Sequence, residues 1–224
     1  MAERRRYRIA VLGSTGAQGS ALALRLASAG HEITIGSRDA AKASTTAAKL
    51  STRAGKPIAA ADNVAAAAAA EIVILTVPYA AQRATVTAVL DALRGKILVD
   101  TTVPLVPPRV SVVQLPEGRS AVAAMQELAG ERVRVVSAFQ NVAATHLADL
   151  TQPVDCDVLV CGDDRSACDV VIGLCSDMAL RGLYAGPIAN SAAAEALTSA
   201  LIAINRRYKV VGGAGIRITG IAEN

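Results

Sequence analysis

The chain has 224 residues and a formal net charge of +4; 52% are apolar and 19% charged, a balance that excludes disorder and provides for an aliphatic core. With one Phe, four Tyr and no Trp it lacks the rings on which single-stranded nucleic acid stacks, and no uncharged apolar stretch reaches the roughly 18–20 residues of a membrane span. Its four cysteines (Cys156, Cys161, Cys168 and Cys175) include no C-x-x-C pair and come with no export signal, which predicts reduced, partly buried thiols in a cytoplasmic protein and no metal site.

Residues 8–12 form a short apolar run that stops at Gly13, the pattern of a buried strand. Residues 20–29 carry helical spacing at Leu22, Leu26 and Ala29, with Gly30 placed as a C-cap. A strand with β-branched Ile33, Thr34 and Ile35 covers 32–36, and a polar, alanine-rich helix covers 39–53. A weak third strand is read at 58–61, followed by Asp62-Asn63 as a cap for the next helix. Residues 71–77 are the clearest buried strand, ended by Pro78; a helix over 82–93 closes at Gly95. Strands follow at 96–100 and 133–139. Beyond Gln140 the spacing predicts a helix at 143–150, a strand at 157–161, a helix at 165–178, a long helix over 191–208 and a terminal strand at 216–221. The apolar stripe of the long helix, with Leu197, Leu201 and Ile204, reads as core more than as interface. Strands alternating with helices imply an α/β fold: a Rossmann-type parallel sheet over 1–140 with a smaller α/β C-terminal domain over 141–224, packed on the first because no flexible linker divides them.

The segment Gly13-Ser14-Thr15-Gly16-Ala17-Gln18-Gly19 lies between the first strand and the first helix. Glycines at 13, 16 and 19 permit positive φ and close approach of backbone amides to a pyrophosphate, which the opening of a helix favours. The G-x-x-G-x-x-G spacing differs slightly from the common G-x-G-x-x-G, but its strand-to-helix context is the one the chemistry needs. After the second strand, where an acidic residue would hold an unmodified ribose, the chain reads Gly36-Ser37-Arg38, with Lys42 four residues on. Serine donates to a 2′-phosphate, Arg38 forks to it or stacks on adenine, and Lys42 adds a point charge, with Arg38 and Lys42 read as one helix face. Asp39 is read as an early-helix carboxylate. These residues imply NADP over NAD.

A dehydrogenase acting on an alcohol needs a positioned acid–base group. His31 opens the second strand, away from the ligand-binding ends, and is read as a surface residue; His146 sits in the first helix after residue 140. Tyr79 follows Pro78 and is expected to border the cleft. The lack of a proton donor has physical sense where the second substrate is a hydride-accepting ring held face to face with the nicotinamide.

Several stretches together resemble the F420:NADP⁺ oxidoreductases, NADPH-dependent reductases of the 8-hydroxy-5-deazaflavin coenzyme F420. They are 13–19 with 22–27, Gly30-His31-Glu32-Ile33, Gly36-Ser37-Arg38 and Leu75-Thr76-Val77-Pro78, then 136–138, 160–164 and 185–191 leading to Glu195-Ala196-Leu197-Thr198. The resemblance implies hydride transfer between NADP(H) and F420 with no catalytic side chain, and a homodimer. It implies that Gly13, Thr15, Gly16, Ala17 and Gln18 hold the pyrophosphate and that Ser37, Arg38 and Lys42 hold the 2′-phosphate. Val77 and Pro78 would line the nicotinamide ribose. In the floor segment, Gln140, Asn141 and Val142 would meet the deazaflavin and Ala144 the nucleotide. Archaeal members carry a His-Thr-Ile-Pro-Ala-like run there; this chain has Gln140-Asn141-Val142-Ala143-Ala144. Glutamine keeps donor and acceptor capacity, and the change leaves two further readings: an NADPH-dependent reductase of a carbonyl or imine, and a non-catalytic NADP-binding protein.

Overall fold

Six short runs of β-branched and small apolar residues supply one fully parallel sheet. The computed structural model describes residues 5–118 and 120–221; the extreme ends of the two predicted domains lie outside it. The strands are β1 (Arg8–Leu12), β2 (Glu32–Gly36), β3 (Ala59–Ala61), β4 (Ile72–Leu75), β5 (Ile97–Asp100) and β6 (Arg134–Ser137), in the order β3-β2-β1-β4-β5-β6. The order reverses between β1 and β4, which opens a crevice at the carboxyl ends of the strands. Register keeps those ends level: Leu12 lies opposite Gly36 and Leu75, Leu75 opposite Asp100, and Asp100 opposite Ser137.

The crossovers are α1 (Ala17–Ser28), α2 (Ala40–Ala54), α3 (Asn63–Ala69), α4 (Tyr79–Leu93) and α5 (Ala121–Ala129). Local chemistry sets their ends. Asp39 accepts from the Lys42 amide, Asp62 from the Ala65 amide and Ser120 from the Ala123 amide, so α2, α3 and α5 start on side-chain caps. Gly30, just past the end of α1, has φ +103, a conformation open to glycine. The helix predicted from residue 82 starts at Tyr79, directly after Pro78. The strand predicted to run to residue 77 stops at Leu75; the Thr76 amide and hydroxyl still bond the Leu12 carbonyl (2.9 and 2.8 Å), and Pro78, two residues on, has no amide proton to extend the ladder.

After α6 (Ala144–Ala148), the strands β7 (Asp157–Val160) and β8 (Arg181–Tyr184) pair in parallel around α7 (Arg165–Asp177), and α8 (Ser191–Tyr208) follows. The terminal strand predicted at 216–221 is absent. Asp157 explains this: its amide donates to the Ile216 carbonyl (2.7 Å), but its carboxylate takes the Ile218 amide (2.6 Å) that a ladder would have used. Ser137 and Cys161 exchange backbone bonds of 2.8 and 3.0 Å, joining the two sheets.

One aliphatic core runs through both parts, from Ile9 and Leu22 to Val158, Val171 and Leu180. Arg25 on α1 fastens them together. Its guanidinium is buried and donates to the carbonyls of Leu147 (2.7 Å), His146 (3.0 Å), Asp149 (2.6 Å) and Met178 (3.2 Å). His31, expected at the surface, is buried instead, 3.3 Å from Asp177 and beside the Tyr7 ring. Loss of solvation there lowers its pKa. The four cysteines are free and buried, and burial pushes the thiols of Cys156, Cys161 and Cys168 up to about 11. Among the described residues, no helix is long and apolar enough to cross a membrane, and no cluster of His, Cys, Asp and Glu is arranged to hold a metal.

Candidate active site

A cleft of about 670 Å³ lies along the carboxyl edge of the sheet, in the range of small-molecule and cofactor sites. Gly13, Thr15, Gly16, Ala17 and Gln18 form its wall at β1; Val77, Pro78 and Tyr79 form the wall at β4. Two glycines in the loop have a steric reason to be there. Gly13 has φ +83, and a β-carbon on it would sit 2.7 Å from Val77 Cγ1. One on Gly19 would sit 2.6 Å from Ser14 Cα, so the third glycine lets α1 press against the loop. Gly16 is the N-cap of α1 and supplies no side-chain cap. The first amides of α1 therefore face the cleft without a side-chain acceptor, a ready anion site. Gln18 Nε2 donates to the Phe139 carbonyl (3.2 Å), tying the loop to the end of β6.

Ser37 and Arg38 line the same cleft beyond β2. The Ser37 hydroxyl oxygen already accepts the Asp39 amide (3.1 Å), which leaves its proton to donate. Lys42 lies outside the lining: its ammonium is 3.5 Å from the Asp39 carboxylate and exposed. Arg38 precedes the N-cap of α2, so the expected shared helix face does not form. Asp39 is occupied as that cap; the Lys42 amide, then its charge, hold its carboxyl below the usual range. Asn63, at the start of α3, also borders this end, with its Oδ1 buried and unpartnered in the described structure.

The floor follows β6. Phe139 takes φ 72, an uncommon conformation for a bulky residue and a local strain at the cleft. Gln140 Nε2 donates to the Asp100 carbonyl and to Ser137 Oγ, both at 2.9 Å. Its Oε1 is buried in the cleft lining with no partner among the described residues. Such an acceptor costs about 1–3 kcal/mol unless a ligand donates to it. Asn141 Nδ2 donates to the Ala194 carbonyl (2.8 Å) and Thr198 Oγ1 (3.1 Å), and Thr198 Oγ1 donates to the Gln140 carbonyl (3.0 Å). The floor is thereby stitched to α8. Val142 lines the cleft; Ala144, as the first residue of α6, falls just outside it, and His146 turns to the Gly213 carbonyl (2.8 Å).

Beneath the floor lies buried Asp100. It accepts from Gln82 Nε2 (2.6 Å) and from the Thr102 amide (2.9 Å), and burial raises its carboxyl above the usual range. Glu195 of α8 is buried against the α5 amides of Ala121 (2.8 Å) and Val122 (3.1 Å), and loss of solvation raises it too. The far wall is apolar, from Val103, Leu105, Val142, Leu201 and Ile202. Among the described residues the lining has two ionisable side chains, Arg38 and Tyr79. The sequence reading missed Asn63, Thr76, Phe139, Thr198 and the α8 wall. Asn63 carried a local signal, as the residue after a capping aspartate at the end of a strand, and Thr76 and Thr198 stood in stretches that carry the family resemblance without being given a site role.

These features define the class: an α/β protein of Rossmann type with a ligand cleft at its topological switch point. A family model described as "NADP oxidoreductase coenzyme F420-dependent" matches residues 8–104. The chain is 42% identical to the F420-dependent NADP reductase of Methanothermobacter thermautotrophicus, over 96% of each chain. It is 40% identical to the F420-dependent NADP reductase of Methanocaldococcus jannaschii, over 96% of this chain and 99% of that one. A crystal structure from Arthrobacter sp. FB24, provisionally described as an F420-dependent NADP reductase, aligns with a TM-score of 0.79 at 27% identity, over 92% of this chain and 96% of its own. The chain belongs to the coenzyme F420-dependent NADP oxidoreductase family.

Proposed function

We propose that this protein transfers hydride between NADP(H) and the deazaflavin coenzyme F420, the two compounds in the names of its relatives. The observation that carries the reading is the composition of the cleft. An anion-binding loop opens directly into a half walled by aliphatic side chains and floored by polar groups already fixed in place. When bound, the nicotinamide supplies or accepts hydride at C4 and the deazaflavin does so at C5.

The work of the chain is then to bind and align. The α1 amides and Thr15 to Gln18 hold the pyrophosphate; Ser37 and Arg38 hold the 2′-phosphate at the end where Asp39 is neutralised by its cap and by Lys42. Val77 and Pro78 border the ribose. Gln140 offers a buried acceptor to an N–H of a ring or carboxamide, while Asp100 and Ser137 keep it from rotating away. Val103, Leu105 and Ile202 exclude water from the apolar half. Holding two reacting rings at contact distance is itself a large part of the rate enhancement such a reaction needs. The names of the relatives favour F420 over a carbonyl or imine; Tyr79 is the lining side chain that such a substrate would need as its proton donor, since Arg38 stands at the phosphate end.

The same reading makes residues 1–140 the nucleotide domain and 141–224 the part that completes the deazaflavin site, in a cytoplasmic homodimer. Sedimentation equilibrium measures the oligomeric state. The functional test mixes the purified protein with NADPH and oxidised F420. Loss of deazaflavin absorbance with formation of NADP⁺ is expected, and no change at saturating concentrations of both rejects the proposal.

A further inference from the structure

A second concavity, of about 480 Å³, lies at the amino ends of the strands, at the opposite end of the sheet from the cleft and in the size range of small-molecule sites. Its floor is apolar. Ile72 and Ile97 stand in one register row with Arg134, and Val170 of α7 lies beside them. Its rim is cationic: Arg5 and Arg8 come from the chain entering β1, Arg94 and Lys96 from the turn before β5, and Arg134 from β6. Among the described residues Glu71 is the one carboxylate of this lining. The cleft at the other end has a single cation in its lining, Arg38.

The partners these cations already have do not balance them. Lys96 Nζ donates to the Ala67 and Ala68 carbonyls at the end of α3 (2.6 and 2.7 Å), and Arg94, just past α4, to Asp91 (2.6 Å). Helix ends account for these two, since cations complement the carbonyl end of a helix. Arg5 and Arg8 share one carboxylate: Glu71 takes Arg5 Nη2 (3.1 Å) and the Arg8 amide (3.1 Å), with Arg8 Nε at 3.9 Å. Half-buried Arg134 donates through Nη2 to the Gly95 carbonyl (3.0 Å), a neutral partner. Burial, and then the charge of Arg8, lower the Lys96 pKa, as an excess of positive charge requires.

We propose that this concavity is a second ligand site, for a small polyanion carrying two or more linked phosphates. Guanidinium groups fork to phosphate oxygens, and here they converge from separate segments around one hollow. Each exposed contact is weak and screened by salt, but several acting on one polyanion add. A nucleic-acid strand would need free rings to stack on, and the one ring of this lining, Tyr7, is already covered by the Arg5 guanidinium, 4.7 Å from its centroid. The site binds and does no acid–base chemistry, because the Arg8 amide holds the Glu71 carboxyl below its usual range. It is separate from the function proposed above and uses none of the residues given to it.

The test is calorimetric titration of the full chain with inorganic tripolyphosphate and with ATP, across a sodium chloride series, with and without one equivalent of NADP⁺. Arg8→Gln and Arg134→Gln, singly and together, remove rim cations, and Arg38→Gln alters the cleft alone. One tripolyphosphate per chain is expected, whether or not NADP⁺ is present, with an affinity that falls as salt rises. The double variant is expected to bind it about ten-fold more weakly, while its NADPH affinity stays within about two-fold of the parent's and shows that it is folded. Arg38→Gln is expected to follow the parent for tripolyphosphate. Tighter binding of ATP than of tripolyphosphate assigns the site to nucleotides, and equal binding assigns it to the phosphate chain itself. No heat from either probe at low salt overturns the proposal. So does a double variant that binds as the parent does, or a signal that NADP⁺ or Arg38→Gln abolishes, which would put the anion in the cleft.

Discussion

Replacing Arg38 with alanine isolates the adenine end of the cleft from everything else in it. The side chain lines the cavity wall and is exposed, so its loss leaves no buried group stranded. A guanidinium–phosphate bond is charge-assisted and contributes about 1.5–3 kcal/mol, which is roughly a 10- to 150-fold loss of NADPH affinity. NADH has no 2′-phosphate and is expected to change by less than about three-fold. Lys42→Ala gives the contrast: its ammonium is 74% exposed and already 3.5 Å from Asp39, so its loss costs about 1 kcal/mol or less, under about five-fold. Calorimetric titration of both nucleotides into both variants gives the four ratios. The reasoning is refuted if Arg38→Ala weakens NADH as much as NADPH, or if Lys42→Ala has the larger effect.

Arg25→Met keeps the aliphatic bulk but strips the donors from the carbonyls of Leu147, Asp149 and Met178; urea unfolding is expected to show a loss of about 3–5 kcal/mol, and a loss below about 1 kcal/mol would falsify its anchoring role. Asp100 has a carboxyl raised by burial, so the native state keeps a proton that the unfolded chain releases. Stability is therefore full below the ordinary carboxylate range and declines as pH rises toward the folded-state value. Asp100→Asn retains an acceptor for the Thr102 amide, and its urea midpoint is expected to vary less with pH than the parent's; parallel profiles reject the assignment. Gly19→Ala forces a β-carbon to 2.6 Å from Ser14 Cα and is expected to cost about 1–3 kcal/mol in thermal unfolding. Gly16→Ala, whose β-carbon would meet the Gly13 carbonyl oxygen at 3.6 Å, leaves the unfolding temperature close to the parent's; equal shifts contradict the packing argument.

The nucleotide half was legible in the sequence because its signals are local. Period-2 and unbroken apolar runs mark β1, β2, β4 and β5, and the glycine loop announces itself by its position between strand and helix. Helix α5 went unread although Ser120 and Gly130 bracket it, since its alanine-rich run has no distinctive polar face. β8 was missed because Arg181-Gly182-Leu183-Tyr184 carries little apolar pattern, and it is held by pairing with β7 and by the Arg181–Asp157 fork. The terminal strand failed for the converse reason: its β-branched residues satisfy the local preference, but a distant carboxylate takes the ladder bond. The floor was read as a segment, not as a set of contacts. That Gln140 hangs on Asp100 and that Asn141 is bonded to α8 depends on residues 40 and more than 50 positions away. His31 shows the same limit, since nothing nearby in sequence signals the Asp177 and Tyr7 that enclose it.

The buried guanidinium on α1 has a thermodynamic corollary. The helix whose opening turn faces the cleft is also the post to which the chain ends of α6 and α7 are moored. Fraying of the later segments therefore withdraws support from the loop at the other end of that rod, and a dinucleotide clamped there resists the fraying in return. Saturation with NADP⁺ should slow proteolytic nicking around residues 149–153, which do not line the cleft.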